Sequence, residues 1–572
     1  MKEQSVFIRL LFITMSIALT FGNGYTYAQD KKTDCSLTVS NAQYDSQVEA
    51  PLEINSPTDT CTPANPREKT DKINIHIHPL FDENNPAEDH YIFRLANRLH
   101  IETHENVIKR DLLVKEGDYI DPNLLAESER ILRTRRYFNR ATVAATENNQ
   151  VDVDVYQVWT LVPALSYSRA GGNTTSSIGL HDSNFLGLGK VVNILHNANT
   201  ERSGDTFEYL DPNTGWHQTT LGLAYENNSD GTRRYAEFIR PYFALDTVNA
   251  GGFTYETFEQ EDALYDAGKK VSTYAENADK HEFFYGSKIN IGNKKSIHRW
   301  NIGYTQDDHE FLSLPDALVT PIPSSRNLHT TWLEYTFIQD GFIKLRNIQQ
   351  INRDEDINLG LQLRTRLGRT QSLNPEHDKS FQLSGEISKG LSLSENNLVL
   401  AKVEYDARYN QNSWYNSVIS GQLNYHWKNL KHGQFYLSLE GACGQHLFGD
   451  QSFDLGGDTG LRGYPAFYQS GDKRYLLTVE QRFFGEHEWF SLFHLGYAAF
   501  YDQGRAWGDS LIPQSQTETL RDLGVGLRIS GTRNGNRDAG GHNVLHIDVA
   551  TPLDGGSDIS NLQWLVKVRN SF

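Results

Sequence analysis

The sequence predicts a closed antiparallel transmembrane β-barrel preceded by one small α+β domain. Three observations predict it: an export signal at the N-terminus, strand after strand of alternating apolar and charged residues, and an alternating strand that ends the chain on an aromatic residue. In that last strand Trp564, Val566, Val568 and Phe572 fall on one side, and Leu565, Lys567, Arg569 and Ser571 on the other. Such a strand suits a wall with lipid on one face and a polar lumen on the other.

Residues 1–28 read as a secretory signal peptide. Lys2 and Arg9 supply the positive start, Leu10 to Gly22 the short apolar core, and Thr26-Tyr27-Ala28 a small-residue end. That core is too short to cross a bilayer as a helix, and no later stretch approaches ~20 apolar residues, so a mature chain without a transmembrane helix is expected. A mean hydropathy of -0.56 is compatible with a barrel, in which only every second residue need be apolar. The formal charge of -18 and the lack of any basic run argue against a nucleic-acid partner.

Residues 29–71 are polar, rich in Thr, Asn, Asp and Pro, and read as a tether. They hold Cys35 and Cys61, for which a disulfide is expected in an oxidising compartment; the alternative is two free thiols in the tether. Cys443 shares a strand face with Phe435, Leu437 and Leu439 and reads as a small lipid-facing residue.

Residues 72–162 form the α+β domain. It opens with the alternating strand Ile73-Asn-Ile-His-Ile-His78, followed by a helix from about Thr103 to Val114, stopped at Gly117. Asp121-Pro122 starts a second helix, running to about Tyr137, with Leu124, Ser128, Ile131, Leu132 and Arg135 on its buried side. Two strands follow, Ala141 to Thr146 and Val151 to Trp159. His76 and His78 share a strand face but have no third ligand, so they read as surface residues and no metal is expected.

From Pro163 to Phe572 only strands are evident. In Ala401 to Tyr409, Lys402, Glu404, Asp406 and Arg408 alternate with Ala401, Val403, Tyr405, Ala407 and Tyr409. Four consecutive charges on one face can meet neither lipid nor a dry core, so they face a wet interior. Ile357 to Leu367 and Leu545 to Val549 alternate in the same way. Strands of ~9–11 residues suggest on the order of 14–18 staves.

Four short stretches are more specific. They are Asn184-Phe-Leu-Gly-Leu-Gly-Lys190; Leu461-Arg462-Gly463-Tyr464 in a loop beginning at Gly456-Gly457; the strand Tyr475 to Phe483 with Glu480 and Arg482; and Phe500-Tyr-Asp502-Gln-Gly504 followed by Leu523-Gly-Val-Gly-Leu-Arg528. With them the sequence resembles the BamA, TamA and FhaC superfamily of outer-membrane barrels (the bacterial surface antigen family), and residues 72–162 resemble its POTRA, or polypeptide-transport-associated, domain. The resemblance covers nearly everything after the tether and is strongest over 456–572. It implies about sixteen strands and a sixth extracellular loop folded into the lumen, with Arg462 pairing with Asp502 and Glu480 as a neighbouring acid. A guanidinium in a confined lumen favours a carboxylate that it can bind with two parallel hydrogen bonds. Only one POTRA-like domain is present, fewer than in well-known members.

The resemblance implies an outer-membrane protein of a Gram-negative bacterium, with its N-terminal domain in the periplasm, that helps insert, assemble or translocate polypeptides. Expected partners are outer-membrane lipid and lipopolysaccharide, unfolded clients captured by the POTRA-like domain, and a periplasmic or lipoprotein accessory. The seam between the first and last strands, near 163–170 and Trp564 to Phe572, is where such a barrel would open. The alternatives are a two-partner-type secretion pore exporting one dedicated partner, and a passive porin-like channel. No cofactor is expected, and no nucleophile, base and orienting group line up to suggest an enzyme.

Overall fold

The computed structural model describes residues 69–572, apart from 87, 147, 200, 293–294, 315–321, 373–378, 411–412, 534–543, 555–558 and 570–572. The signal peptide, most of the tether, Cys35, Cys61 and Phe572 lie outside the described residues.

The α+β domain runs β1 (Lys72–His78), α1 (Tyr91–Leu99), α2 (Glu105–Asp111), α3 (Pro122–Arg133), β2 (Phe138–Ala145) and β3 (Gln150–Gln157). β3 is central, parallel to β1 and antiparallel to β2. Its Val151, Val153 and Val155 are fully buried against Ile108, Leu132 and Phe138. Asp121 caps α3 by accepting from the Asn123 amide at 2.9 Å, with Pro122 in the first helical turn.

Three readings of this domain need correction. The helix expected over Thr103 to Val114 is only seven residues long, because Leu112 turns to an extended conformation and sends Leu112 and Val114 into the core. Gly117, at a φ of 89°, shapes a turn and donates to the Thr70 carbonyl instead of ending a helix. Helix α3 ends at Arg133 and buries Leu125 rather than Leu124. Helix α1 was not foreseen.

The barrel comprises β4 (Leu161–Ala170), β5 (Asn173–Asp182), β6 (Val191–Ala198), β7 (Ser203–Asp211), β8 (Thr220–Asn228), β9 (Gly231–Arg240), β10 (Asn249–Asp266), β11 (Lys269–Ile289), β12 (Ser296–Ser313) and β13 (Arg326–Gln339). A hairpin, β14 (Phe342–Arg346) and β15 (Asp354–Asn358), interrupts the wall. The wall resumes with β16 (Gln362–Ser372), β17 (Lys379–Ser394), β18 (Asn397–Asn410), β19 (Ser413–Leu430) and β20 (Gly433–Gln445). A long loop containing β21 (Phe453–Leu455) and β22 (Gln469–Gly471) leads to β23 (Lys473–Trp489), β24 (Phe493–Trp507), β25 (Leu520–Gly531), β26 (Val544–Pro552) and β27 (Gln563–Arg569).

Twenty of these strands close one antiparallel barrel, four more than the sixteen of the resemblance. The arginine loop accordingly joins the fifteenth and sixteenth strands and is the eighth loop at its end of the barrel, not the sixth. Outward residues such as Ile178, Ile194, Phe283, Leu333, Leu367 and Val525 are exposed and apolar, forming the lipid-facing belt of a transmembrane barrel. Lys402 pairs with Glu386, and Arg408 donates to Thr370, both on the lumen face.

The stretch Ile357 to Leu367 is not one strand. Asn358 accepts from the amides of Gly341 and Gly360, pinching off the β14–β15 hairpin. Ile357 and Leu359 therefore pack inside the lumen beside Leu398 and Leu400, instead of facing lipid.

Candidate functional site

Three features converge on one cylinder: a folded-in loop at the end away from the α+β domain (the far end), a hairpin at the end where the domain docks (the near end), and the junction of first and last strands.

At the far end, residues 446–472 turn into the lumen. Leu455, Leu461, Tyr464 and Tyr468 pack with the inward residues Leu476, Ala506 and Leu520. At the tip Arg462 reaches the wall. Its Nε and one terminal nitrogen donate to the two Asp502 oxygens at 2.7 and 2.9 Å, and the other terminal nitrogen donates to Glu480 at 2.8 Å. The guanidinium carbon lies 3.3 Å from the Phe500 ring centre. Arg462 is 5% exposed and Asp502 0%. The charge network extends further than sequence suggested, since Arg482 also pairs with Glu480 and Arg528 pairs with Asp548.

Neighbours of the arginine fix the loop tip. The Gly463 amide donates to Asp522 at 3.0 Å, and a Cβ there would lie 2.6 Å from the Asp522 Cβ. The Tyr464 hydroxyl donates to the Arg521 carbonyl at 2.9 Å. The loop also crosses the opening. Ala466 donates to the Gly171 carbonyl in the β4–β5 turn, and the Gly268 amide, between β10 and β11, donates to the Phe467 carbonyl.

At the near end the β14–β15 hairpin fills the mouth. Ile351 packs on Phe484, Ala498 and Val544, all inward residues of the wall. Leu345 and Ile348 pack with Leu398. Gln434 donates to the Asn347 carbonyl, and Asn352 to that of Gly485. Glu355 caps the hairpin tip, accepting from the amides of Ile348, Gln349 and Gln350. Burial pushes its carboxyl up to about 7 despite those amides.

The hairpin is also tied to the domain. Arg133 of α3 donates to both Asp356 oxygens at 2.8 and 2.7 Å, and Lys344 reaches Glu129 at 2.9 Å. Sequence reasoning missed this stopper because its apolar alternation matches that of a wall strand; the Asn358 and Gly360 break was the available signal.

The Asn184 to Lys190 motif is a docking joint. Asn184 donates to Thr103 and accepts from the Gly189 amide, while Gly187 accepts from the His104 amide. A Cβ on Gly187 would lie 2.2 Å from the Glu102 carbonyl oxygen, so glycine lets the domain approach the barrel.

The barrel closes where β27 meets β4 through one bridged pair among the described residues, Val566 with Arg169. On either side the pairing is fuller: ten pairs from β4 to β5 and seven from β26 to β27. Trp564 and Val568 are exposed on the lipid side, and the Arg169 guanidinium lies 5.0 Å from the Trp564 ring centre. Among the described residues the strands around the junction are short, seven residues of β27 and eight of β6, against 21 in β11.

His78 lies 2.9 Å from Asp154 and stacks on Tyr156. Among the described residues no group of three or more His, Cys, Asp or Glu side chains could hold a metal.

These features define a class: a transmembrane barrel stoppered at both ends, with a docked α+β domain and a junction that is thinly paired among the described residues. No protein-family model matches the chain, and no curated protein does. Among solved structures it is similar to BamA from Haemophilus ducreyi lacking POTRA domains 1-3, at 13% identity over 87% of this chain and 84% of that one, with a TM-score of 0.34. CdiB from Escherichia coli matches at 12% identity over 88% and 77%, TM-score 0.45. CdiB from Acinetobacter baumannii matches at 12% over 87% and 73%, TM-score 0.37.

Proposed function

We propose that this protein is a non-enzymatic outer-membrane barrel that inserts or translocates polypeptides by parting the β4–β27 seam, with the α+β domain in the periplasm. The observation that carries the reading is that, among the described residues, one bridged pair joins the two strands of that seam. That pair holds at most two ladder hydrogen bonds, each contributing ~0.5–1.5 kcal/mol net, so over the described residues this junction is the most weakly laddered of the wall.

Wall height supports the same reading. On the β4 side of the seam the strands have 8–10 residues. At ~3.3 Å per residue and ~40° tilt they reach ~20–25 Å, at or below the ~25 Å apolar band of such barrels. Lipid beside the seam is thinned, which lowers the barrier to a client strand entering from the periplasm. The domain sheet, with β1 and β2 at its edges, would first capture an extended client by strand addition.

The test locks the seam. Arg169→Cys with Val566→Cys places two thiols at opposed positions, in a background with Cys35, Cys61 and Cys443 replaced by Ser. Oxidation should stop assembly of outer-membrane proteins in cells depending on this chain, and reduction should restore it. Undiminished assembly by the cross-linked barrel would overturn the reading.

A second reading, a pore exporting one dedicated partner, is favoured by the hairpin, which is a discrete stopper in a wide lumen. Removing residues 342–358 in an Arg462→Ala background, so that both stoppers are released, should then raise planar-bilayer conductance and export together. On the seam reading it raises conductance alone.

A further inference from the structure

Helix α1 turns its apolar face away from the protein. Tyr91, Ile92, Leu95 and Leu99 share one helical side and are 71%, 72%, 40% and 64% exposed. The opposite side holds the helix to its domain. Phe93 stacks on Phe81 with ring centres 4.1 Å apart, and Asn97 accepts from the Phe81 amide while donating to its carbonyl. A helix on a water-bathed surface has the reverse arrangement.

Both ends of α1 are tied to the near-end rim of the barrel. Ahead of the helix, Glu88 pairs at 3.0 Å with Arg533, which follows β25. Behind it, the His100 ring lies 6.3 Å from that of Trp159, two residues before β4 begins. The Trp159 amide in turn donates to the Arg533 carbonyl at 2.6 Å. A nine-residue helix is ~14 Å long. Both ties converge on the Arg533–Trp159 contact, so the helix is held at the near-end rim beside the start of β4, one of the two seam strands.

The geometry points to a second lipid-contacting surface: α1 sits in the near-end leaflet as an interfacial helix beneath the seam, with its apolar side among acyl chains. The occupant is lipid because the rim fixes the helix where strands enter the bilayer. Further apolar side chains are exposed at the same near end, Leu161 at the start of β4 and Leu186 in the β5–β6 turn, at 48% and 51%. Arg98, exposed on the same helix, can extend its guanidinium to headgroup phosphates. The inference needs only that the barrel spans a membrane, and stands whether or not the seam opens.

The test uses the full chain with Cys35, Cys61 and Cys443 replaced by Ser. Ile92→Cys, Leu95→Cys, Leu99→Cys and the control Lys115→Cys each carry an environment-sensitive NBD label. They are reconstituted in phosphatidylethanolamine–phosphatidylglycerol vesicles, with or without doxyl-labelled phosphatidylcholine. Labels at 92, 95 and 99 should emit to the blue, lose intensity to doxyl lipid and ignore iodide, whereas the label at 115 should be quenched by iodide. Iodide quenching at 92, 95 and 99 would overturn the inference. So would shielding from iodide without doxyl quenching, the signature of a second copy or of the chain's own N-terminal segment on the face. The labelled sites are exposed, and heat-dependent gel mobility verifies that each variant is folded.

Discussion

Replacing Arg462 by Ala should release the far-end loop. The substitution removes three charged hydrogen bonds, two to Asp502 and one to Glu480, plus the contact with Phe500. Glu480 keeps Arg482 at 2.8 Å. Asp502, fully buried, faces Asp522 across the β24–β25 register and loses the cation that binds both its oxygens. Breaking a buried pair by removing one partner costs ~3–5 kcal/mol, which at ~1.4 kcal/mol per decade shifts the loop equilibrium ~100-fold to several thousand-fold. The assay is proteolysis of residues 446–472 in sealed vesicles, with protease added from the far side. Cleavage of Arg462→Ala should accelerate by that factor. Arg462→Ala with Asp502→Ala should recover ~1–3 kcal/mol, because no buried charge is stranded there. Acceleration below about five-fold, the effect of an exposed pair worth ~1 kcal/mol, would refute the reasoning.

Gly171→Val should detach the same loop from the β4–β5 turn, since φ is +54° and a Cβ would lie 2.0 Å from the Ala466 nitrogen. A loss of ~2–4 kcal/mol, read by the same proteolysis, combines strain with the displaced contact. Arg133→Ala should loosen domain and hairpin together, and a double-mutant cycle with Asp356→Asn should return a coupling of ~1–3 kcal/mol in urea unfolding of the domain. The hairpin should also respond to pH. Glu355 is raised to about 7 from ~4.3 in an unfolded chain, so its stabilising effect is complete below ~4.3 and lost as pH rises through about 7. The urea midpoint of hairpin release, followed by a label at Gln349, should fall over that interval, and Glu355→Gln should flatten the profile.

The barrel was legible because alternation with charges on one face has few physical solutions, as Lys402 to Arg408 illustrate. The approach of Arg462 to Asp502 and Glu480 was implied by resemblance, whereas Arg528 and Asp548 joined the network only through strand register. Register is long-range: a pair such as Val566 with Arg169 spans nearly the whole barrel sequence and leaves no local trace. Strand number was underestimated because the short strands β4 to β9 carry weak individual signals. Helix α1 was missed because its apolar stripe serves no core, and the hairpin because its periodicity is that of the wall it lies within.

The two stoppers have a consequence for the cell that would carry this protein. An envelope depends on refusing bile salts, dyes and large antibiotics, and a twenty-strand cylinder left unplugged would admit them freely. With Arg462 anchoring one bung and Ile351 seated in the other, a barrel that worked sideways, as proposed above, would do so while solutes stay out. Cells carrying a chain whose plugs are loosened should therefore become drug-sensitive, and on the proposed seam mechanism they should do so before any fault in polypeptide insertion appears.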